Sequence, residues 1–140
     1  MRNKQSESQL QQNCVKWFRY QYPELRKNLF AIPNGGIRNI ATARRLKGEG
    51  VVAGVADMFL AVGKDVSGNL CFEILQENGL RDYLRGFHGL FIEMKYGYGK
   101  QTPEQFEFEM AVNTQGYKYV VCRTFDEFKE KIEEYLGKRK

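Results

Sequence analysis

The chain has one histidine, one tryptophan, three prolines and three cysteines, and the shortage of histidine and cysteine removes whole classes of chemistry. With His88 alone, a zinc hydrolase built on several histidines, or a nuclease using a histidine-bound metal, has no ligand set within the chain. A Ser-His-Asp triad would have to pass through His88, which stands in Gly86-Phe87-His88-Gly89 with no nucleophile motif beside it. His88 reads as a turn residue. Cys14, Cys71 and Cys122 are odd in number, far apart and without a Cys-x-x-Cys pair. They read as reduced thiols of a cytoplasmic protein rather than disulfides or zinc ligands. No apolar run reaches membrane-spanning length. The polar start Met1-Arg2-Asn3-Lys4-Gln5 leads into no hydrophobic stretch, so no signal peptide is expected. If this is an enzyme, its acid–base chemistry has to come from carboxylates, lysine and a metal.

What is present suits one soluble domain spanning residues 1–140. With 140 residues, 42% apolar and 28% charged, the chain is long enough for a real core. A net charge of +5 leans toward a polyanionic partner. Basic residues gather in Arg38, Arg44, Arg45 and Lys47, and again in Lys138-Arg139-Lys140. A solvated helix face accounts for the first group as well as phosphate contact does; the tail is expected to fray.

Two apolar runs carry charge where a strand core should have none. One is Val51 to Val62, with Asp57 near its centre; the other is Gly89 to Tyr96, with Glu93 and Lys95 two apart. Side chains two apart on a strand share a face, so Glu93 and Lys95 point one way and Met94 the other. A charge inside a sheet is expensive unless a metal, a partner or water compensates it. Two carboxylates and an ammonium at one spot make a cation site with a phosphate-facing lysine. The plainer alternative is a structural Asp/Glu–Lys cluster.

The elements read in order as helix, strand, helix, strand, strand, helix, strand, helix. Ser6 opens the first helix with Gln9 as a capping box, Leu10, Cys14, Trp17 and Phe18 form its stripe, and Pro23 ends it. Glu7 falls on its core-facing side, either complementing the helix dipole or reaching the charged cluster. Leu29 to Ile32 is a short strand closed by Pro33-Asn34-Gly35-Gly36, and Ile37 to Lys47 a basic helix ended by Gly48. Residues 63–87 read as an insertion, with a strand expected at Leu70 to Leu75 and a helix turn at Glu77 to Arg85. Glu73 there is an acid among apolar residues but lacks a lysine two positions on. Thr102-Pro103 starts a helix to about Gln115, Tyr117 to Arg123 is a strand, and Thr124 with Glu127 caps the last helix. This gives an α/β fold, a central mixed sheet of four to five strands flanked by helices.

At these residues the chain resembles the virus-type replication–repair (VRR-NUC) family of the PD-(D/E)xK nuclease superfamily. Gly54-Val55-Ala56-Asp57 matches its Gly-x-x-Asp, although proline is frequent where Ala56 stands. Ile92-Glu93-Met94-Lys95 matches its Ile-Glu-x-Lys, Thr102 to Gln105 its next helix start, and Ser6-Glu7 its N-terminal pair. A turn like Pro33 to Gly36 occurs in phage members. The resemblance spans residues 6–136 and implies a restriction-endonuclease-like core. It implies an endonuclease that hydrolyses DNA phosphodiester bonds with Mg²⁺ or Mn²⁺. Asp57, Glu93 and the main-chain carbonyl of Met94 would be ligands, with Glu7 a further candidate, and Lys95 would orient the attacking water or stabilise the phosphate. Gln105 would be functional too, though it also sits where a capping-box glutamine sits after Thr102. Asn34, Arg38, Arg44, Arg45 and Lys47 would contact DNA. Further implications are a preference for branched DNA such as four-way (Holliday) junctions, a homodimer, and a bacterial or phage setting. Two other readings compete. One is a non-catalytic nucleic-acid-binding module on the same fold, which the intact Asp57, Glu93 and Lys95 argue against. The other is a sequence-reading restriction enzyme, for which no recognition domain is evident.

Overall fold

The computed structural model describes residues 6–33, 39–65, 70 and 86–137. Helix α1 (Glu7–Gln21) starts where the Ser6 hydroxyl accepts the Gln9 N–H at 3.0 Å. Gln9 does not complete a capping box; its side-chain amide donates to Asn13 at 3.2 Å. The helix stops at Gln21, and Pro23 opens a 3-10 turn (Pro23–Leu25). Strand β1 (Leu29–Ala31) is followed by helix α2 (Ile40–Gly48), which begins later than Ile37 because Asn39 is its cap, accepting the Thr42 N–H at 2.7 Å. Strand β2 (Met58–Leu60) is far shorter than the apolar run from Val51 to Val62. A turn at 53–54, with Gly54 at φ +86°, breaks the run, so Asp57 stands just before the strand rather than within it.

Strand β3 (Leu90–Met94), helix α3 (Pro103–Asn113), strand β4 (Lys118–Cys122) and helix α4 (Phe125–Leu136) complete the described elements. Thr124 caps α4 by accepting the Glu127 N–H at 3.0 Å, while the Glu127 carboxylate accepts the Arg123 N–H at 2.7 Å. The expected strand at Leu70 to Leu75 lies outside the described residues apart from Leu70, which bridges to Lys64. The expected helix turn at Glu77 to Arg85, with Glu73 and Cys71, lies outside them entirely.

The sheet runs β1-β2-β3-β4, antiparallel at the first two junctions and parallel at the third. This is the mixed sheet and the element order that the sequence predicts. Leu60, Met58, Leu90, Ile92, Met94, Val120 and Cys122 line one face and pack on Leu10, Cys14 and Phe18 of α1 and Phe128, Ile132 and Tyr135 of α4. Cys14 and Cys122 are buried free thiols whose pKa values burial pushes up to about 11 and about 12, which leaves them unreactive. The other face carries aromatic rings: Phe59 meets Phe91 at 4.5 Å, and Phe91 meets Phe108 of α3 edge-on at 5.0 Å. His88 belongs to this layer, its ring against Tyr117 and its N–H bonded to the Gly116 carbonyl. Among the described residues no helix is long and apolar enough to cross a membrane.

Candidate active site

Register brings the two acids together. Met58 lies opposite Ile92 and Leu60 opposite Leu90, so one step further sets Asp57 across from Glu93. Met58 and Ile92 point into the core, so Asp57 and Glu93 fall on the aromatic face. The Asp57 carboxylate is anchored at Oδ2, which accepts the Met94 N–H at 2.7 Å. Glu93 is only 2% exposed. Its Oε1 accepts from Gln105 Nε2 at 2.9 Å and lies 3.7 Å from Lys95 Nζ. Its Oε2 is buried and meets no hydrogen-bond donor.

Gln105 serves both of the roles its position suggests. Its Oε1 accepts the Thr102 N–H at 2.9 Å while its own N–H donates to Thr102 Oγ1 at 3.2 Å, a complete capping box. The nitrogen of the same amide reaches Glu93. The start of α3 is thus tied to the carboxylate, and Gly54 ties it to the loop before Asp57. A Cβ on Gly54 would stand 2.4 Å from the carbonyl carbon and oxygen of Glu104. Only a bare backbone fits there, at a positive φ that glycine adopts freely.

Burial is the first cause of the site's electrostatics, and like charge reinforces it. The Glu93 pKa is pushed up to about 8 by burial and by the Asp57 charge, with Lys95 pulling the other way. Asp57 is raised too, by burial and by Glu7, against the Met94 N–H and Lys95. In the absence of a cation, a proton on Glu93 donated to Asp57 relieves the repulsion. Glu7 is exposed in the first turn of α1, yet its charge raises both acids. Glu7 therefore stands where it complements the helix dipole, on the exposed rather than the core-facing side expected of it, and acts on the two acids through its charge alone. Among the described residues no group of three His, Cys, Asp or Glu side chains stands close enough to hold a metal. The side-chain donors are then a carboxylate pair with one unsatisfied buried oxygen. That set suits a hard cation such as Mg²⁺ or Mn²⁺, which takes oxygen ligands and retains waters.

Of the expected DNA contacts, Arg44, Arg45 and Lys47 are exposed on α2, a helix with no buried residue. Arg45 stands 3.9 Å from Glu49; Asn34 and Arg38 lie outside the described residues. One polar group beside the site had no signal in the sequence. Gln101 Nε2 donates to Glu109 Oε2 at 2.9 Å and to the Tyr119 hydroxyl at 3.3 Å. Burial pushes the Tyr119 pKa up to about 12, and the charges of Glu93 and Asp57 add to the rise. Alternation would have put Tyr119 on this face, but only with the parallel register of β4 in hand.

No family model matches the chain, and no curated protein matches it in sequence. A solved structure described as a "VRR_NUC domain protein" is similar to it with a TM-score of 0.69 and 23% identity, over 93% of this chain and 87% of that one. At that identity the likeness is one of fold, and it bears out at this level the resemblance carried by the Gly54–Asp57 and Ile92–Lys95 motifs: the chain has the fold of a VRR_NUC domain protein.

Proposed function

We propose that the chain is a divalent-metal-dependent endodeoxyribonuclease of the VRR-NUC family. The observation that carries this reading is the pair of facing carboxyls, Asp57 and the buried Glu93, whose Oε2 meets no N–H donor and, with no cation bound, has only a proton shared with Asp57 to satisfy it. A purely structural cluster would bury a neutral residue in place of one of the two acids. Asp57 and Glu93 would hold Mg²⁺ or Mn²⁺, with the Met94 carbonyl as a third oxygen and Glu7 acting through its charge. When bound, the cation supplies positive charge against the phosphate and lowers the pKa of water toward neutrality. Gln105 and Lys95 engage Oε1, which orients the carboxylate with Oε2 free. Lys95 also presents an ammonium at the site, placed to orient the attacking water or to stabilise charge on the phosphate. Arg44, Arg45 and Lys47, with Arg38 and Asn34, would hold the DNA backbone.

The finer reading is a preference for branched DNA such as four-way junctions, cut by a homodimer in the cytoplasm of a bacterium or phage host. Two symmetric incisions require two sites in fixed mutual orientation, and a twofold interface supplies them. The test is Mn²⁺ binding by calorimetry alongside cleavage of labelled DNA. Asp57→Asn and Glu93→Gln should lose both, whereas Lys95→Ala should lose cleavage and keep most of the binding. A protein that binds DNA but neither binds Mn²⁺ nor cleaves would be the non-catalytic module instead.

A further inference from the structure

Four aromatic residues lie close in sequence to Lys95 or to the end of the 63–87 insertion: Phe87, Phe91, Tyr96 and Tyr98. The fold uses three of them. Phe87 and Tyr96 pack against the core, and Phe91 joins the ring layer on the other face of the sheet. Tyr98 is fully exposed. It sits on the turn that leaves β3, where Gly97 takes φ +68°.

That turn is held firmly. Arg123 Nη1 donates to the Gly97 carbonyl at 3.1 Å and to the Gly99 carbonyl at 2.6 Å, bracketing Tyr98 from both sides. The turn also lies against the site: a Cβ on Gly99 would stand 3.7 Å from Lys95 Cδ. Tyr98 is three positions along the chain from Lys95, so their Cα atoms lie within about 11 Å, roughly three base-pair steps. A tyrosine here buries nothing in the fold, and turns ordinarily carry small polar residues. From Lys95 to Lys100 the segment carries two lysines and no acid, which suits a polyanion.

We propose that Tyr98 is a base-stacking residue that gives the nuclease its preference among DNA structures. Resting on the nuclease reading, the ring packs on a nucleobase left unpaired or unstacked beside the phosphate that Asp57, Glu93 and Lys95 address. Continuous duplex offers no such face, whereas a branch point does. Every base has a π face, so the contact selects structure rather than sequence, and the phenol oxygen is not needed for it. Arg123 is a positioning residue here, holding the turn that carries the ring.

The experiment measures affinity in Ca²⁺, chosen to slow cleavage, and kcat/KM in Mg²⁺, on a four-way junction and on a linear duplex of the same sequence. Tyr98→Ala should lower the junction-to-duplex ratio about ten-fold or more in both measurements. Tyr98→Phe should keep the ratio, and Arg123→Ala should lose part of it while the ring remains. A ratio unchanged in Tyr98→Ala, or an equal loss in Tyr98→Phe, overturns the proposal. So does a Tyr98→Ala protein that shifts from dimer to monomer by light scattering, which would assign the ring to a subunit contact. Wild type that cuts DNA with a ratio indifferent to Tyr98 sinks this inference alone. Wild type that binds junctions through Tyr98 yet cleaves nothing sinks the nuclease reading alone.

Discussion

Glu93→Gln should make the metal-free protein more stable in mildly alkaline solution while abolishing its response to metal. In the wild type, the Glu93 pKa rises from its ordinary 4.5 to about 8 in the folded chain. The folded state therefore keeps a proton that the unfolded state gives up. The stability tied to that proton is fully present below about pH 4.5 and is lost as pH rises through about 8. The slope in that window approaches about 1.4 kcal/mol per pH unit. Because the proton is shared with Asp57, the total stays below the roughly 5 kcal/mol that an isolated shift of this size would give. Lys95 moderates the effect and Glu7 adds to it. Glutamine at 93 keeps an oxygen for Gln105 Nε2 and turns an N–H₂ toward Asp57, replacing repulsion with a hydrogen bond. Chemical denaturation with chelator across about pH 5 to pH 9 should show a falling wild-type profile and a much flatter variant, the variant ahead at the alkaline end. Saturating Mg²⁺ should raise only the wild type. A variant less stable than wild type near pH 8 without metal would refute the reasoning, as would a wild-type profile with no fall.

Other expectations follow from the same contacts. Gln105→Ala removes the glutamine half of the α3 capping box, leaving the Thr102 cap in place, and one of the two partners of Glu93 Oε1. It should cost about 1–2 kcal/mol in denaturant unfolding and about ten- to hundred-fold in kcat. Gly54→Ala forces a Cβ into the Glu104 backbone at positive φ. It should destabilise by about 2 kcal/mol or more, and its loss of cleavage should not add to that of Gln105→Ala, since both act through the start of α3. Replacing Arg44, Arg45 and Lys47 together by alanine should reduce the slope of log affinity against log salt by up to about 0.9 per lost phosphate contact. A slope identical to wild type would remove α2 from the DNA surface.

Local chemistry made much of the fold legible in the sequence. Ser6, Thr102 and Thr124 are caps because a hydroxyl three residues before a free N–H satisfies it wherever the rest of the chain goes. Glu93 and Lys95 stood out because alternation exposes a charge in an apolar strand. The shortening of β2 did not show, because the break comes from Gly54 meeting Glu104, fifty residues later. The apolar residues before it satisfied strand propensity and misled. The Gln101–Glu109–Tyr119 network and the Arg123 clamp on the Tyr98 turn are contacts between segments that only the parallel pairing of β3 with β4 brings together. Gln105 lay between these cases, its cap readable locally and its reach to Glu93 dependent on the tertiary fold.

The most direct measurement is a cleavage time course on labelled linear, single-stranded, flap and four-way-junction DNA, with chelator, with Mg²⁺ and with Mn²⁺. Wild type should cut only when a divalent cation is present, the junction fastest, and Asp57→Asn, Glu93→Gln and Lys95→Ala should leave every substrate intact while remaining folded. Cleavage that persists in chelator, or a carboxylate variant that cuts like wild type, would contradict the proposal that Asp57 and Glu93 form the metal site of a nuclease.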